Sequence, residues 1–534
     1  MVKSSSGGFF MEISKNILNS YLEKCKATSQ ITLDDDYNVP DYRPDIVKVL
    51  KEQGELAFDE VSVLNGAVWV KGRMIFHVLY RSEQENAKIS SLRGEISFQE
   101  KINIEGVQEH DVVSMQGEIE DLNIGVIHSR KLSVRAVVTL LSVVGGEERK
   151  EVCAGIGEED NCQQKIREQE TLILLYGKKD RCKQRNEIVL PSSKPNVQEI
   201  LWKSIEVRNL TTHVGADGIV IAGEILMSIL YSEEEEPDRI QWYETVVPLD
   251  CMVPCELPQK EKENGNGLLH KIIVEPESRE VEVKPDYDGE ERMLVMELGF
   301  QLDIRIWKEE KIPFLEDAYA LDRELVLQRM PVKLESLLVK NESQCRLTER
   351  LVLPDNQERI LQICTCEGIA KIEHAELRER GMWIEGVLMT ELLYITTDDK
   401  MPVGVVKEVY PFEQTVEIPV TNSRIRTELE CGISQLSAVM LDQEHVEIRA
   451  TVELKLLAFS QNELSNIVEI QEEIPDMEAL SRRPGLVGYV AKTGDLIWNI
   501  AKENHSTVEQ ILQYNQRKDG ELKPGEKLLI VKNI

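Results

Sequence analysis

The sequence lacks several features that would assign it to a common class of protein. Its 534 residues contain no apolar run of about 18 residues, so no membrane-spanning helix is predicted. The apolar stretch Phe9–Met11 is too short for the core of a signal peptide. The ten cysteines include no Cys-x-x-Cys pair, and neither Cys251–Cys255 nor Cys364–Cys366 has the second pair that a zinc site needs. We therefore expect free thiols in a reducing, cytoplasmic compartment.

Basic residues and catalytic motifs are also scarce. The chain has 63 Lys and Arg against 95 Asp and Glu, a formal net charge of −32. Such a field does not favour binding to nucleic acid or acidic lipid. The sequence has no P-loop, His-Glu-x-x-His, Gly-x-Ser-x-Gly or Gly-x-Gly-x-x-Gly motif, and its eight histidines are scattered. These absences favour a protein that is not an enzyme and that needs no cofactor or metal.

The chain does contain one sequence pattern that occurs three times. Four marker residues recur at identical intervals, with no gap in any copy: Pro40, Gly72, Tyr80 and Phe98; Pro191, Gly223, Tyr231 and Leu249; Pro354, Gly386, Tyr394 and Phe412. Around each Gly, apolar residues occupy every second position, which predicts a strand with one buried face. The Gly itself predicts a bend or bulge where a Cβ would not fit. We interpret the repeat as a domain that is present three times.

Two kinds of segment instead show helical spacing. Apolar residues from Ile13 to Leu22 predict a helix within residues 13–25. Pro44-Asp45 followed by Ile46, Val49 and Leu50 predicts a short helix with Pro in its first turn, and the later copies partly repeat this spacing. At the N-terminus, Gly7-Gly8 before Met11 could be a translated ribosome-binding site. We therefore expect the natural start at Met11, the alternative being an ordinary flexible tail.

The predicted fold is mainly β with short helices: three repeated β-rich, sandwich- or barrel-like domains followed by a small α+β module. We assign residues 1–25 to an N-terminal helix or tail, 26–150, 165–310 and 330–460 to the three copies, 461–484 to a linker and 485–534 to the module. The joins at 145–187 and 308–345 should contribute strands. The interval from Leu249 to Leu298 in copy 2 is longer than the equivalent interval from Phe98 to Ala136 in copy 1, which fits an insertion around 261–267.

The last fifty residues predict strand, helix, helix, strand. Asp495 stands where an N-cap should be, and Ile497, Ile500 and Ala501 share one helix face. Ser506 and Glu509 predict a capping box for the second helix. Pro524-Gly525 predicts the turn into the final strand.

This stretch closely resembles a LysM domain, a βααβ module, over residues 488–532. The resemblance rests on the Gly-Asp turn, the Trp-x-Ile-Ala helix, the Tyr-Asn pair and the Lys-Pro-Gly-x-x-Leu strand entry. LysM domains commonly bind N-acetylglucosamine polymers, such as peptidoglycan or chitin-like glycan, in a shallow groove. Carried over to this sequence, the groove implies the following residues: Gly494, Asp495, Leu496, Ile497, Trp498, Tyr514 and Asn515. Leu496 stands where many glycan-binding LysM domains have Thr or Ser, which favours a protein ligand, and Trp498 has a core position as its alternative.

Three β-rich copies followed by one LysM domain resemble the SipL-like family of spore-coat morphogenetic proteins, whose repeats are SPOCS domains. The family implies a non-catalytic adaptor in the mother cell, at the forespore surface. Its implied partner is a morphogenetic coat ATPase, with the LysM domain as a contact. Two alternatives stay open: a cell-wall protein whose LysM domain binds glycan, and a structural coat subunit that self-associates through its β domains.

Overall fold

The computed structural model describes residues 9–84, 88–157, 161–215, 217–262, 268–398, 400–419, 424–473 and 485–531. Up to Glu473 the described chain is almost entirely strand. Copy 1 comprises β2 (Ile13–Asn38), β3 (Ile46–Leu64), β4 (Ala67–Ser82), β5 (Ile89–Asn103), β6 (Val112–His128) and β7 (Lys131–Ile156). Copy 2 comprises β8 (Cys162–Val189), β9 (Val197–Val214), β10 (Ile219–Glu233), β11 (Ile240–Val253), the one-turn helix α1 (Gln259–Lys262), β12 (Leu269–Pro285) and β13 (Glu291–Ala320). Copy 3 comprises β14 (Glu324–Val352), β15 (Ile360–Arg378), β16 (Gly381–Thr396), β17 (Val403–Val416), β18 (Arg424–Met440) and β19 (His445–Glu473).

Each copy is a sandwich of two antiparallel three-stranded sheets, which confirms the predicted β-rich repeats. In copy 1 the sheets have the orders β3-β4-β5 and β2-β7-β6, and the corresponding strands of copies 2 and 3 pair in the same way. Apolar side chains from both sheets form the core of each copy. The short strand β1 (Phe9–Phe10) pairs with the end of β19.

Three of the four marker residues make the same contact in each copy, which explains their fixed spacing. The hydroxyl of Tyr80 donates a 3.1 Å hydrogen bond to the carbonyl oxygen of Pro44, and Tyr231 and Tyr394 make the same bond to the residue 36 positions earlier. Each marker Gly pairs across the sheet with the marker Phe or Leu. A Cβ on Gly386 would lie 2.4 Å from the carbonyl oxygen of Lys371. The neighbouring strand has a register shift at each of these Gly residues, as the sequence predicts.

The three short helices predicted after Pro44 and at its equivalents are wrong. These residues begin strands β3, β9 and β15. In copy 1 the register shifts twice near the start of β3, between Ile46 and Lys48 and between Val49 and Lys51. Each bulge inserts one residue, so the period-two alternation becomes a spacing of three that imitates a helix. Copies 2 and 3 have paired bulges at the corresponding places.

The first and last strands of each copy extend beyond the sandwich as a two-stranded ribbon. In copy 1, β2 pairs with β7 over its whole length, so residues 13–25 are strand and the predicted N-terminal helix is wrong. In copy 3, β19 continues to Glu473 against β14, so residues 461–473, which we assigned to a linker, belong to this ribbon. Residues 474–484 and the insertion at 263–267 lie outside the described residues. Apolar residues of all three ribbons pack together in shared clusters.

The sandwiches also meet in a closed ring of three. Strand β3 contacts β17 of copy 3, β9 contacts β5 of copy 1, and β15 contacts β11 of copy 2. At the centre, residues from equivalent positions of all three copies form one apolar cluster: Leu50, Leu201 and Cys364; Leu79, Leu230 and Leu393; Ile89, Ile240 and Val403. The body therefore has a pseudo-threefold axis. All ten cysteines lie within the described residues, and none of them forms a disulfide bond.

Candidate functional site

The C-terminal module has the predicted order: β20 (Leu486–Val490), α2 (Ile497–Glu503), α3 (Val508–Tyr514) and β21 (Lys527–Val531). Strands β20 and β21 pair antiparallel. Ile500, Ala501 and Ile511 are buried between the helices and this sheet. The face shared by Ile497, Ile500 and Ala501 is thus the core face, as predicted.

Both predicted caps are one residue off. Helix α2 begins after Leu496, and its first turn receives no side-chain cap. The carboxylate of Asp495 instead accepts hydrogen bonds of 2.8 Å from the hydroxyl of Tyr489 and from the backbone N–H of Lys492. Helix α3 is capped by Thr507, which accepts from the N–H of Gln510. Ser506 donates instead to the carbonyl oxygen of Val531.

The turn before α2 carries the exposed part of the predicted groove. Gly494 has φ +88°, a conformation that favours Gly. The hydrogen bonds from Tyr489 and Lys492 fix Asp495 in the turn, and they hold the pKa of the Asp495 carboxyl below its usual range. Leu496 is 54% exposed although it is apolar. The turn therefore presents an aliphatic side chain on a rigid backbone.

The other predicted groove residues do not all face the same way. Tyr514 is 51% exposed, whereas Ile497 is buried in the core. Asn515 caps the C-terminal end of α3, and its side chain is bonded within the module. Its amide donates to the carbonyl oxygen of Leu529 at 2.7 Å and accepts from the N–H of Leu529 at 2.8 Å. The structure thus leaves Leu496 and Tyr514 as the exposed apolar candidates within the predicted set.

Trp498 points away from this surface and binds the body. Its indole N–H donates a 2.9 Å hydrogen bond to Asp317 of β13, and the ammonium of Lys502 lies 2.7 Å from the same carboxylate. The ring of Trp498 meets that of Tyr319 edge to face, with centroids 4.9 Å apart. The hydroxyl of Tyr319 donates a 2.8 Å bond to the carbonyl oxygen of Ser506. Helix α2 is therefore docked on copy 2.

Sequence reasoning missed this contact, although aligning the copies gives a signal. When Leu298 is aligned with Ala136 and Ala450, Asp317 and Tyr319 of copy 2 fall at the positions of Gly155 and Gly157 in copy 1. In copy 3 the same positions hold Glu469 and Gln471. Only copy 2 combines a carboxylate with an aromatic side chain at this place, which explains why the module docks there.

The carboxylate of Asp317, which holds the module on copy 2, is surrounded by cations and hydrogen-bond donors. Burial raises the pKa of Asp317, but the hydrogen bonds from Lys502 and Trp498 outweigh burial and leave the pKa below its ordinary value. Arg329 of β14 adds a second cation 3.3 Å from the same carboxylate. Asp317 is therefore ionised when the module is docked at neutral pH.

Two features are absent from the described residues. Among the described helices, none is both long enough and apolar enough to cross a membrane. Within the same residues, no group of three or more His, Cys, Asp or Glu side chains is arranged to hold a metal ion.

Comparison with known families agrees with this architecture. The family described as SipL, SPOCS domain matches residues 45–127, 196–283 and 359–441, and the LysM domain family matches residues 489–531. No curated protein and no solved structure gave a match. Three SPOCS domains and one LysM domain define a sporulation-related class built from non-catalytic binding domains. The chain has the domain organisation of SipL-like proteins, and the long first and last strands of each copy lie outside the matched SPOCS segments.

Proposed function

We propose that the protein is a non-catalytic adaptor of endospore coat assembly. Its LysM domain binds a morphogenetic coat ATPase at the forespore surface, in the cytoplasm of the mother cell. The observation that carries the proposal is Leu496: it is 54% exposed on the turn where a glycan-binding LysM domain commonly offers a hydroxyl. An exposed leucine on a rigid turn suits a protein interface, where apolar anchors dominate binding.

The charge distribution supports a docking role for this domain. Residues 485–534 carry 7 basic and 6 acidic residues, a net charge of +1, so the remainder carries 56 − 89 = −33. A near-neutral domain on a strongly acidic body can approach an acidic protein surface that the body itself repels.

A second candidate function is binding to peptidoglycan. The LysM match favours it, and so does Tyr514, whose exposed ring could lie against a sugar face. The two candidates make opposite demands on position 496. A protein partner needs the apolar side chain, whereas a glycan gains a hydrogen bond from a hydroxyl.

We would therefore measure binding of the full chain to the purified ATPase and, in parallel, its sedimentation with purified peptidoglycan. Leu496→Asp should abolish ATPase binding while the melting temperature stays unchanged. The control is Leu486→Asp, which changes an equally exposed leucine on β20 outside the predicted groove. Binding to peptidoglycan that rises in Leu496→Thr, with no ATPase binding in the wild type, would reject the adaptor and establish the glycan function.

A further inference from the structure

A large cavity lies between copies 2 and 3. It is an open cleft of about 920 Å³. Its floor is the outer face of the β14-β19-β18 sheet, and its walls are residues 209–212 of β9 and 270–274 of β12. This volume is within the range of specific ligand sites, roughly 300–1,000 Å³.

Because the body is pseudo-threefold symmetric, the cleft can be compared with the equivalent junction between copies 1 and 2. The comparison shows that the cleft depends on particular residues. The equivalent place between copies 1 and 2 has a cavity of only about 20 Å³. Two hydrogen bonds close it: the ammonium of Lys179 donates to the carbonyl oxygen of Val113 at 3.2 Å, and the amide of Gln116 donates to Glu275 at 2.8 Å.

Both bonds are missing between copies 2 and 3 because the equivalent residues differ. Lys179 and Glu342 precede the marker prolines of their copies by the same interval, so a carboxylate replaces the closing ammonium. The strand registers place Ile273 at the position of Gln116 and Gly432 at that of Glu275. A donor and its acceptor are thus lost together.

The lining of the open cleft fits an extended polypeptide. Strands β9, β12 and β14 are each the last strand of their sheet, so their outer edges can pair with an added strand. Residues 270–274 span roughly 17 Å, enough to pair with a segment of about five residues.

The charges of the cleft select the kind of peptide. Lys271 lies 2.6 Å from Glu428 and 3.3 Å from Glu430, so its charge is already compensated. The ammonium of Lys455 is bound to the carbonyl oxygen of Leu210 at 3.3 Å. Lys340 also lines the cleft, 3.8 Å from Glu342. The lining thus has four carboxylates, those of Glu342, Glu428, Glu430 and Glu453, against the ammonium groups of Lys271, Lys340 and Lys455, a net charge of −1. We propose that this cleft binds an extended, basic peptide segment of a partner protein by strand addition.

The test uses the full chain and two variants that copy the closed junction. Glu342→Lys restores the closing ammonium, and the double variant Ile273→Gln/Gly432→Glu restores the second bond. Position 432 has open space for a side chain, since no atom lies within 4 Å of an added Cβ. The control variant Lys179→Glu changes the closed junction and should leave peptide binding unchanged.

The probe is a phage-displayed library of random linear peptides, selected on the wild type and counter-selected on the closed variants. Enriched peptides should be rich in Lys and Arg, and their affinity should fall more than about tenfold in either closed variant. Amide exchange of β12 should slow when a synthetic enriched peptide binds the wild type, a readout that does not depend on any variant folding. An absence of enriched peptides, peptides that bind a folded closed variant equally well, or unchanged exchange of β12 would each overturn the proposal.

Discussion

The interior of each copy and the junctions between copies follow opposite rules. Inside the sandwiches, the marker residues recur in each copy because each makes the same contact, such as the tyrosine hydroxyl bond across 36 residues. At the junctions, the central apolar positions are kept, but other equivalent positions have diverged. Counted from the marker Pro, the position of Lys51 in copy 1 holds Trp202 in copy 2 and Thr365 in copy 3, and all three side chains are buried.

At these three positions, the differences between the copies create contacts between the copies. The ammonium of Lys51 lies 3.0 Å from Glu367 and 3.2 Å from Glu391 of copy 3, and 5.1 Å from the ring centre of Trp202. One copy thus supplies a cation, another an aromatic face and the third the carboxylates. Identical copies could not make this set of contacts, so the junctions distinguish the three places in the ring.

The largest effect that we expect comes from removing this central cation. Lys51 is only 1% exposed, so Lys51→Met would leave Glu367 and Glu391 facing each other in a largely buried place. We expect the free energy of unfolding to fall by about 3–5 kcal/mol, measured by urea denaturation. Lys71→Met, which breaks an exposed pair with Glu60, should leave the free energy of unfolding almost unchanged. Equal losses in the two variants would contradict the importance of the junction.

Inside a copy, the marker glycines should tolerate a side chain according to the space around them. Gly386→Val should cost about 1–3 kcal/mol or more, because its Cβ would approach a carbonyl oxygen to 2.4 Å. Gly223→Val should cost less, since the closest atom would lie 3.0 Å away. Melting temperatures should follow this order, with Gly432→Ala unchanged as the control in open space. An unchanged melting temperature for Gly386→Val would refute the close approach.

A smaller, pH-dependent effect is expected at the junction between copies 1 and 2. Burial, with help from Arg93 and Lys203, lowers the pKa of His77 from 6.5 to about 4. In the unfolded chain His77 binds a proton near pH 6.5, so its contribution to stability is complete above that pH and is lost as pH falls towards 4. The loss should be on the order of 1–3 kcal/mol.

The variant His77→Ser, which copies Ser228 of copy 2, should flatten the stability profile between pH 6.5 and 4. Urea denaturation at several pH values measures this. An identical pH profile for wild type and variant would show that His77 is not the titrating group.

The smallest effect concerns the one LysM domain rather than the repeated copies. Asp317→Ala removes the hydrogen bonds from Trp498 and Lys502 but keeps the ring contact and the hydrogen bond made by Tyr319. Amide hydrogen exchange of α2 should become faster in the full chain. The matched control is Glu469→Ala, the equivalent position in copy 3, which should leave α2 unchanged. Faster exchange in both variants would mean that docking does not depend on Asp317.

Repeated and local sequence patterns predicted their secondary structure correctly. The prediction was wrong where the structure of a segment depends on residues far along the chain. The strands around each marker Gly and the LysM elements followed from local pattern. Residues 13–25 could not be recognised as strand, because their partner β7 lies far along the chain and Leu18 is buried against other copies' ribbons. The groove prediction includes Trp498 and Asn515, and their hydrogen bonds to Asp317 and Leu529 could not be inferred from the neighbouring residues.

The closed ring of three copies has a consequence for how the LysM domain is presented. A ring of three separate chains, each with one copy and its own LysM domain, would carry three LysM domains. In this sequence the three copies share the LysM domain at 489–531, and only copy 2 carries the carboxylate and aromatic pair that holds it. This LysM domain therefore breaks the threefold symmetry of the ring, because it marks copy 2 and gives the ring one distinct side.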